Sequence, residues 1–116
     1  MGVFLIRNEV DDKVLIAAGL NLPGTINRHK IQLHHGIHPN KRLQQDWNEF
    51  GSNNFSFEIV DELAPRDEPG INYQEELDRL EDFWMERLQP YKREGYNERK
   101  LTRAERLHRI AARHQG

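Results

Sequence analysis

The chain has 116 residues, with 17 Lys or Arg, 19 Asp or Glu, six His and no Cys, for a formal net charge of −2 at pH 7. That length supports one compact domain with one core, and the lack of cysteine excludes disulfide frameworks, thiolate zinc sites and cysteine nucleophiles. There is no run of about 18 apolar residues to cross a membrane, and MGVFLIRNEV has neither the basic leader nor the small-residue cleavage site of a secretory signal, so a soluble cytoplasmic protein is expected.

In chain order, Val3–Ile6 is a short apolar run, followed by the polar link Asn8–Asp12 and a second apolar run, Val14–Ala18. Two such runs joined by a short polar link predict a β-hairpin, without the Asn-Gly pair of a tight primed turn. Leu22-Pro23 marks a break. Pro23 suits the first turn of a helix, where its missing N–H would have no partner anyway, and a helix is expected over Thr25–His34, ended by Gly36. A second helix starts at Pro39-Asn40, with Leu43, Trp47 and Phe50 on one face and Gly51 as the stop.

Phe55, Phe57 and Ile59, with Asp61 as a further candidate, alternate with Ser56, Glu58 and Val60, the period of a strand with one buried face. Ala64–Asn72, rich in Pro and Gly, reads as a loop. From Gln74 the helical period returns through Leu77, Leu80, Trp84 and Leu88, beside Phe83, until Pro90 stops it. Residues 92–97, KREGYN, read as a turn. The tail reads as a basic amphipathic helix with Leu101, Ala104, Leu107, Ile110 and Ala111 on one side. The economical architecture is α/β (α+β): a small three-stranded sheet, mixed or antiparallel, flanked by helices over residues 1–97, with a basic helical tail over 98–116.

Charge is unevenly spread. Lys13 to Arg42 hold five Lys or Arg and no Asp or Glu, together with His29, His34, His35 and His38. Residues 57–98 are acid-rich, and residues 99–116 set six Lys or Arg against the single acid Glu105. Such asymmetry is compatible with a basic face for a polyanion and equally with an ordinary solvated surface. His34 and His38 have a helical metal-ligand spacing, but Gly36 and Pro39 interrupt the helix and no cysteine or nearby acid completes a set. A basic surface loop is expected there. Trp47 and Trp84 fall at core spacing and are expected to pack inside.

Taken in order, these segments resemble the GIY-YIG nuclease family. Gly2-Val3-Phe4 stands where Gly-Ile-Tyr would, and KVLIAAG, Lys13 to Gly19, resembles the strand carrying Tyr-Ile-Gly. NLPGTINRHK resembles the stretch that follows, with its closing His. HPNKRLQQDWNEFGSNNFSFEIVDEL, His38 to Leu63, is similar to a stretch of the small stand-alone and homing-endonuclease-like members. LEDFWMERL and REGYN match the closing helix and terminal Asn, so the resemblance spans residues 2–97.

The resemblance implies that Glu81 holds one divalent cation, Mg²⁺ or Mn²⁺, a hard ion that takes one or two carboxylates plus substrate phosphate. It implies that His29 handles protons at the scissile phosphate, as neutral imidazole can near pH 7, and that Asn97 helps order the site. The implied partner is nucleic acid, DNA in the first instance. Without the resemblance, Glu81 reads as a helix-edge acid, His29 as an exposed or phosphate-contacting side chain, and Asn97 as a turn residue.

The departures fall on polar groups. Phe4 and Leu15 occupy the two tyrosine positions, Ala17 replaces the Gly of Tyr-Ile-Gly, and Thr25 stands where an Arg would. Losing one donor to the transition state costs about 10²- to 10³-fold in rate, and losing a general base a further ~10²–10⁴. Arg28, one turn from Thr25, is a poor substitute. Arg28, Lys30, Lys41 and Arg42 are expected to meet nucleic-acid backbone. Two readings follow: a nucleic-acid-binding domain with metal-dependent phosphodiester cleavage from an incomplete catalytic set, or a noncatalytic binding or regulatory module on the same scaffold. Homodimerisation through the tail is a lesser third.

Overall fold

The computed structural model describes residues 1–64, 68–91 and 94–97. Strand β1 (Gly2–Asn8) is the centre of an antiparallel sheet, with β2 (Val14–Gly19) on one edge and β3 (Phe55–Glu62) on the other. Val3, Phe4, Leu5 and Ile6 are all almost fully buried. A strand covered on both faces needs such a continuous apolar run, not an alternation.

The two faces carry separate cores. Phe4, Ile6 and Leu15 pack against Leu22 and Leu33 of helix α1 (Leu22–His34) and Leu43 and Trp47 of helix α2 (Lys41–Phe50). On the other face, Val3 and Ile16 pack against Met85 of helix α3 (Tyr73–Leu88), with Leu80, Trp84 and Tyr91 around them. Helix α1 begins three residues before the expected Thr25, because Asn21 caps it and Pro23 fits its first turn. Among the described residues, each of these helices is capped by an Asn whose side chain accepts a backbone N–H three residues on: Asn21 from Gly24, Asn40 from Leu43 and Asn72 from Glu75. Such a cap contributes about 1 kcal/mol. Gly51 ends α2 at φ 86°, where glycine carries no steric cost.

Several expectations need correction. Strand β3 does not bury one face: Phe55 and Phe57 are half-buried, and Ile59 is 50% exposed because β3 is an edge. A bulge lies opposite the Val3–Phe4 step, where Phe4 pairs with Ile59 and Val3 with Asp61. Val60 lies on the α3 side by ordinary alternation with Ile59 and packs in that core, and the extra residue turns Asp61 to the same side, where it accepts the Trp84 indole N–H at 3.1 Å. In α3 the buried residues are Leu77 and Met85, while Leu88 and Phe83 are exposed.

Residues 94–97 are more than a turn. Gly95 bridges to Val14, and Tyr96 is 1% exposed, within the core of α1 and α2. The expected loop Ala64–Asn72 is irregular where it is described, and the expected tail over 98–116 lies outside the described residues. Among the described residues no helix is long and apolar enough to cross a membrane.

The Tyr96 hydroxyl donates to Asp46 Oδ2 at 2.7 Å and accepts from Asn8 Nδ2 at 3.0 Å. Burial, reinforced by Asp46, pushes its pKa well above the usual tyrosine value. Asn8 is itself fully buried, so Tyr96→Phe strands a buried donor. The expected cost is about 1–3 kcal/mol in urea unfolding, and a loss below ~0.5 kcal/mol would mean the network contributes little.

Candidate functional site

The chain bends at Gly36 (φ 74°) between α1 and α2. This turn brings the start of α2 back beside the middle of α1. His38, expected in a surface loop, is instead 6% exposed. Its N–H donates to Gln44 Oε1 at 3.0 Å, and Gln44 in turn donates to the Leu33 carbonyl and to Asn48 Oδ1, both at 3.0 Å. One buried amide therefore ties the end of α1, His38 and α2 together.

His38 Nε2 lies 2.7 Å from His29 Nδ1. Phe4 lies against the His29 ring edge-to-face, with centroids 5.4 Å apart. Burial, followed by the charges of His38 and Arg28, lowers the His29 pKa from 6.5 to about 4. Burial also lowers that of His38. The pair is held neutral at pH 7.

Cationic side chains flank the pair. Arg28 is exposed, and Lys30 Nζ lies 5.0 Å from the centre of the Phe57 ring, a cation–π contact on the same sheet face as Phe4. Lys41 lines a cleft of about 620 Å³ beside His38, with Ile37, Gln44, Gln45 and Asn48. Arg42 turns toward the Tyr96 ring, 5.9 Å from its centre. No acid stands in the first turn of either α1 or α2. The positive end of the α2 dipole is thus not offset by an acid in its first turn.

The other site residues stand on other elements. Glu81 is half-buried on α3, whose core residues pack on the opposite face of the sheet from α1 and α2. Among the described residues no three or more His, Cys, Asp or Glu side chains converge on a metal position. One carboxylate with phosphate and water completing the shell fits Mg²⁺ or Mn²⁺, and does not fit a closed structural zinc site.

Asn97 clamps the backbone of β2. Its Oδ1 accepts the Ile16 N–H at 2.7 Å and its Nδ2 donates to the Ile16 carbonyl at 2.9 Å. It thereby fixes the strand on which Leu15 and Ala17 stand. Thr25 lies against the end of β2: a Cβ on Gly19 would meet Thr25 Oγ1 at 2.2 Å. The missed residue is His38, because its contact with His29 spans nine positions and a bend, and only a weak signal, a His just ahead of the capping Asn40, marks it in the sequence.

No protein-family model matches the sequence, and no curated protein matches it. Two solved structures do. The catalytic domain of the homing endonuclease I-TevI superposes with a TM-score of 0.69 at 25% identity, covering 85% of this chain and 98% of that domain. An alanine mutant of the catalytic domain of the intron endonuclease I-TevI also gives 0.69, at 26% identity over 87% of this chain and 95% of that one. The three-stranded antiparallel sheet with three helices is the fold of that GIY-YIG catalytic domain.

The depressed His29 pKa has a stability consequence. Between about pH 6.5 and 4 the unfolded chain takes up a proton that the folded chain refuses, so the contribution is full above pH 6.5 and is lost as pH falls toward 4. Because the ring is half-exposed, about 1 kcal/mol is expected after allowing for solvent screening. His29→Gln is expected to flatten urea-derived stability between pH 6.5 and 4.5. An unchanged slope would assign the dependence to other groups.

Proposed function

We propose that this chain, a GIY-YIG nuclease-like domain, binds nucleic acid along the basic face of α1 and α2 and hydrolyses phosphodiesters only slowly. The observation that carries this reading is the neutral His29–His38 pair on the apolar side chain of Phe4, flanked by cations, in the fold of an endonuclease catalytic domain. Arg28, Lys30 and Lys41 supply charge for the phosphate backbone, whose contacts dominate affinity in such interfaces. Arg42, turned onto Tyr96, contributes less.

Glu81 would hold a divalent cation, Mg²⁺ or Mn²⁺. Such an ion supplies charge stabilisation at a phosphate oxygen and lowers the pKa of a bound water. The protein's own residues do the rest. His29 and His38 shape the polar floor beside the scissile group, Asn97 fixes the β2 backbone, and α1 and α2 orient the strand. Phe4 and Leu15 offer no hydroxyl to a water nucleophile, and Thr25 offers no guanidinium to the developing charge. These losses set the slow rate. DNA is the first substrate to test, because the two matching structures are of a homing, or intron, endonuclease.

Binding is measured by fluorescence anisotropy of labelled duplex, single-stranded and branched DNA against salt. The log–log slope is expected to fall to about −2 to −3, and Lys30→Ala or Lys41→Ala to reduce it by about 1 each. No salt-sensitive binding to any of these DNAs would remove this function. Cleavage is followed with Mg²⁺ or Mn²⁺ on the same forms and on supercoiled DNA. Slow cutting abolished by Glu81→Ala is expected. Binding without any cutting would leave the noncatalytic module.

Thr25→Arg restores the missing guanidinium on a residue already packed at the end of β2. It is expected to raise the cleavage rate by about 10²-fold. No gain in a folded, DNA-binding variant would mean that the lost arginine does not limit the reaction.

A further inference from the structure

The order of hydrogen bonds around His38 fixes which ring nitrogens carry protons. The backbone N–H of Asn40, which can only donate, points at His38 Nδ1 from 3.0 Å. His38 Nδ1 is therefore the acceptor, and the neutral ring carries its proton on Nε2. His38 Nε2 lies 2.7 Å from His29 Nδ1, so this proton is donated to His29 Nδ1. Neutral His29 then carries its own proton on Nε2.

The reverse order fails on simple grounds. A proton on His29 Nδ1 would require His38 Nε2 to accept, leaving His38 with two acceptor nitrogens, an imidazolate. A cationic His38 would set a ring N–H against the Asn40 N–H. Taking up a further proton at His29 means filling Nδ1, and that breaks the bond between the rings. The apolar contact with Phe4 and the burial of His38 favour the same neutral pair.

His29 Nε2 makes no hydrogen bond within the described residues, while the ring is only half-buried and feels the Arg28 charge. The geometry points to His29 as a neutral hydrogen-bond donor, through Nε2–H, to a non-bridging phosphate oxygen, with His38 as the positioning residue that sets its tautomer. This rests on the reading that the α1 and α2 face binds nucleic-acid backbone, and it deepens that reading. The family resemblance assigns His29 to proton handling, yet its one lone-pair nitrogen is already occupied. The imidazole pair therefore grips the phosphodiester without activating a nucleophile, as neutral imidazoles do elsewhere when they act as donors. With Phe4 and Leu15 in the tyrosine positions, none of these four side chains has an unoccupied lone pair for a water proton.

The test uses the full chain labelled with ¹⁵N-histidine, its six histidines assigned by single substitutions. Long-range ¹H–¹⁵N spectra at pH 7.5 are expected to show both His29 and His38 protonated at Nε2 and not at Nδ1. Adding a short duplex oligonucleotide is expected to shift the His29 Nε2–H signals without changing the tautomer. In His38→Phe, with folding checked by circular dichroism, His29 is expected to show averaged tautomers. His29→Phe is expected to weaken duplex binding about five- to tenfold.

A His29 proton on Nδ1, or averaged tautomers in the parent, would overturn the assignment even if His38→Phe fails to fold. A duplex that binds by anisotropy but leaves the His29 signals unmoved would overturn the donor role. A chain that binds no duplex would overturn both the donor role and the nucleic-acid reading, while the spectra of the unbound protein would still decide the tautomer.

Discussion

Burial of β1 on both faces is the constraint on which the other elements depend. Gly2–Asn8 is hydrogen-bonded along both edges and covered by α1 and α2 on one side and α3 on the other. Its two apolar faces make one strand the shared wall of two cores. Close packing leaves little slack there: a Cβ at Gly2 would meet the Asp61 carbonyl at 2.2 Å and Leu22 at 2.9 Å. A side chain at that position would push β1 away from β3 and α1 together.

The closing segment holds the hairpin and the second helix in register with that wall. Asn97 pairs with the Ile16 backbone, Tyr96 joins Asn8 to Asp46, and the Tyr96 carbonyl accepts from Asn40 Nδ2 at 2.7 Å. Asn40 is the junction. Its Oδ1 caps α2, its Nδ2 holds residue 96, and its backbone N–H orders the His38 ring. The tautomer of His29 is thus connected, through two hydrogen bonds, to the residue that starts α2. Polar networks of this kind are worth most when their members are satisfied.

The chemistry of the face follows from what surrounds the imidazole pair. Phe4 provides an apolar floor that disfavours imidazolium, Arg28 adds like charge, and Lys30 and Lys41 leave the surroundings attractive to anions. Binding of a phosphodiester and its hydrolysis make different demands. Binding needs donors and positive charge, which the face has. Hydrolysis also needs a proton acceptor and a fixed charge at the developing oxyanion. On the proposed reading, Phe4, Leu15 and Thr25 stand where groups of the second kind would, on a fold shared with a nuclease catalytic domain at 25% identity.

Much of the fold was legible in local pattern. The apolar runs at Val3 and Val14, the spacing of Leu43 and Trp47, and the stops at Gly51 and Pro90 each express a backbone preference that needs no distant partner. The order of GVF, KVLIAAG, NLPGTINRHK, LEDFWMERL and REGYN was enough to indicate the sheet-and-helix scaffold, and it offered His29, Glu81 and Asn97 as candidates whose roles belong to the proposal. Tertiary structure decided what local pattern cannot encode. The bulge after Ile59 turns Asp61 to the same side as Val60, where α3, distant in sequence, offers its carboxylate an indole N–H. Tyr96 is core and not turn because Asn8 and Asp46 converge on its hydroxyl from 88 and 50 residues away. His38 meets His29 because Gly36 folds α2 back along α1. Sequence set which side chains were available, through spacing and backbone preference. Their protonation and pairing were settled only where packing brought separate elements within hydrogen-bond reach and excluded water from between them.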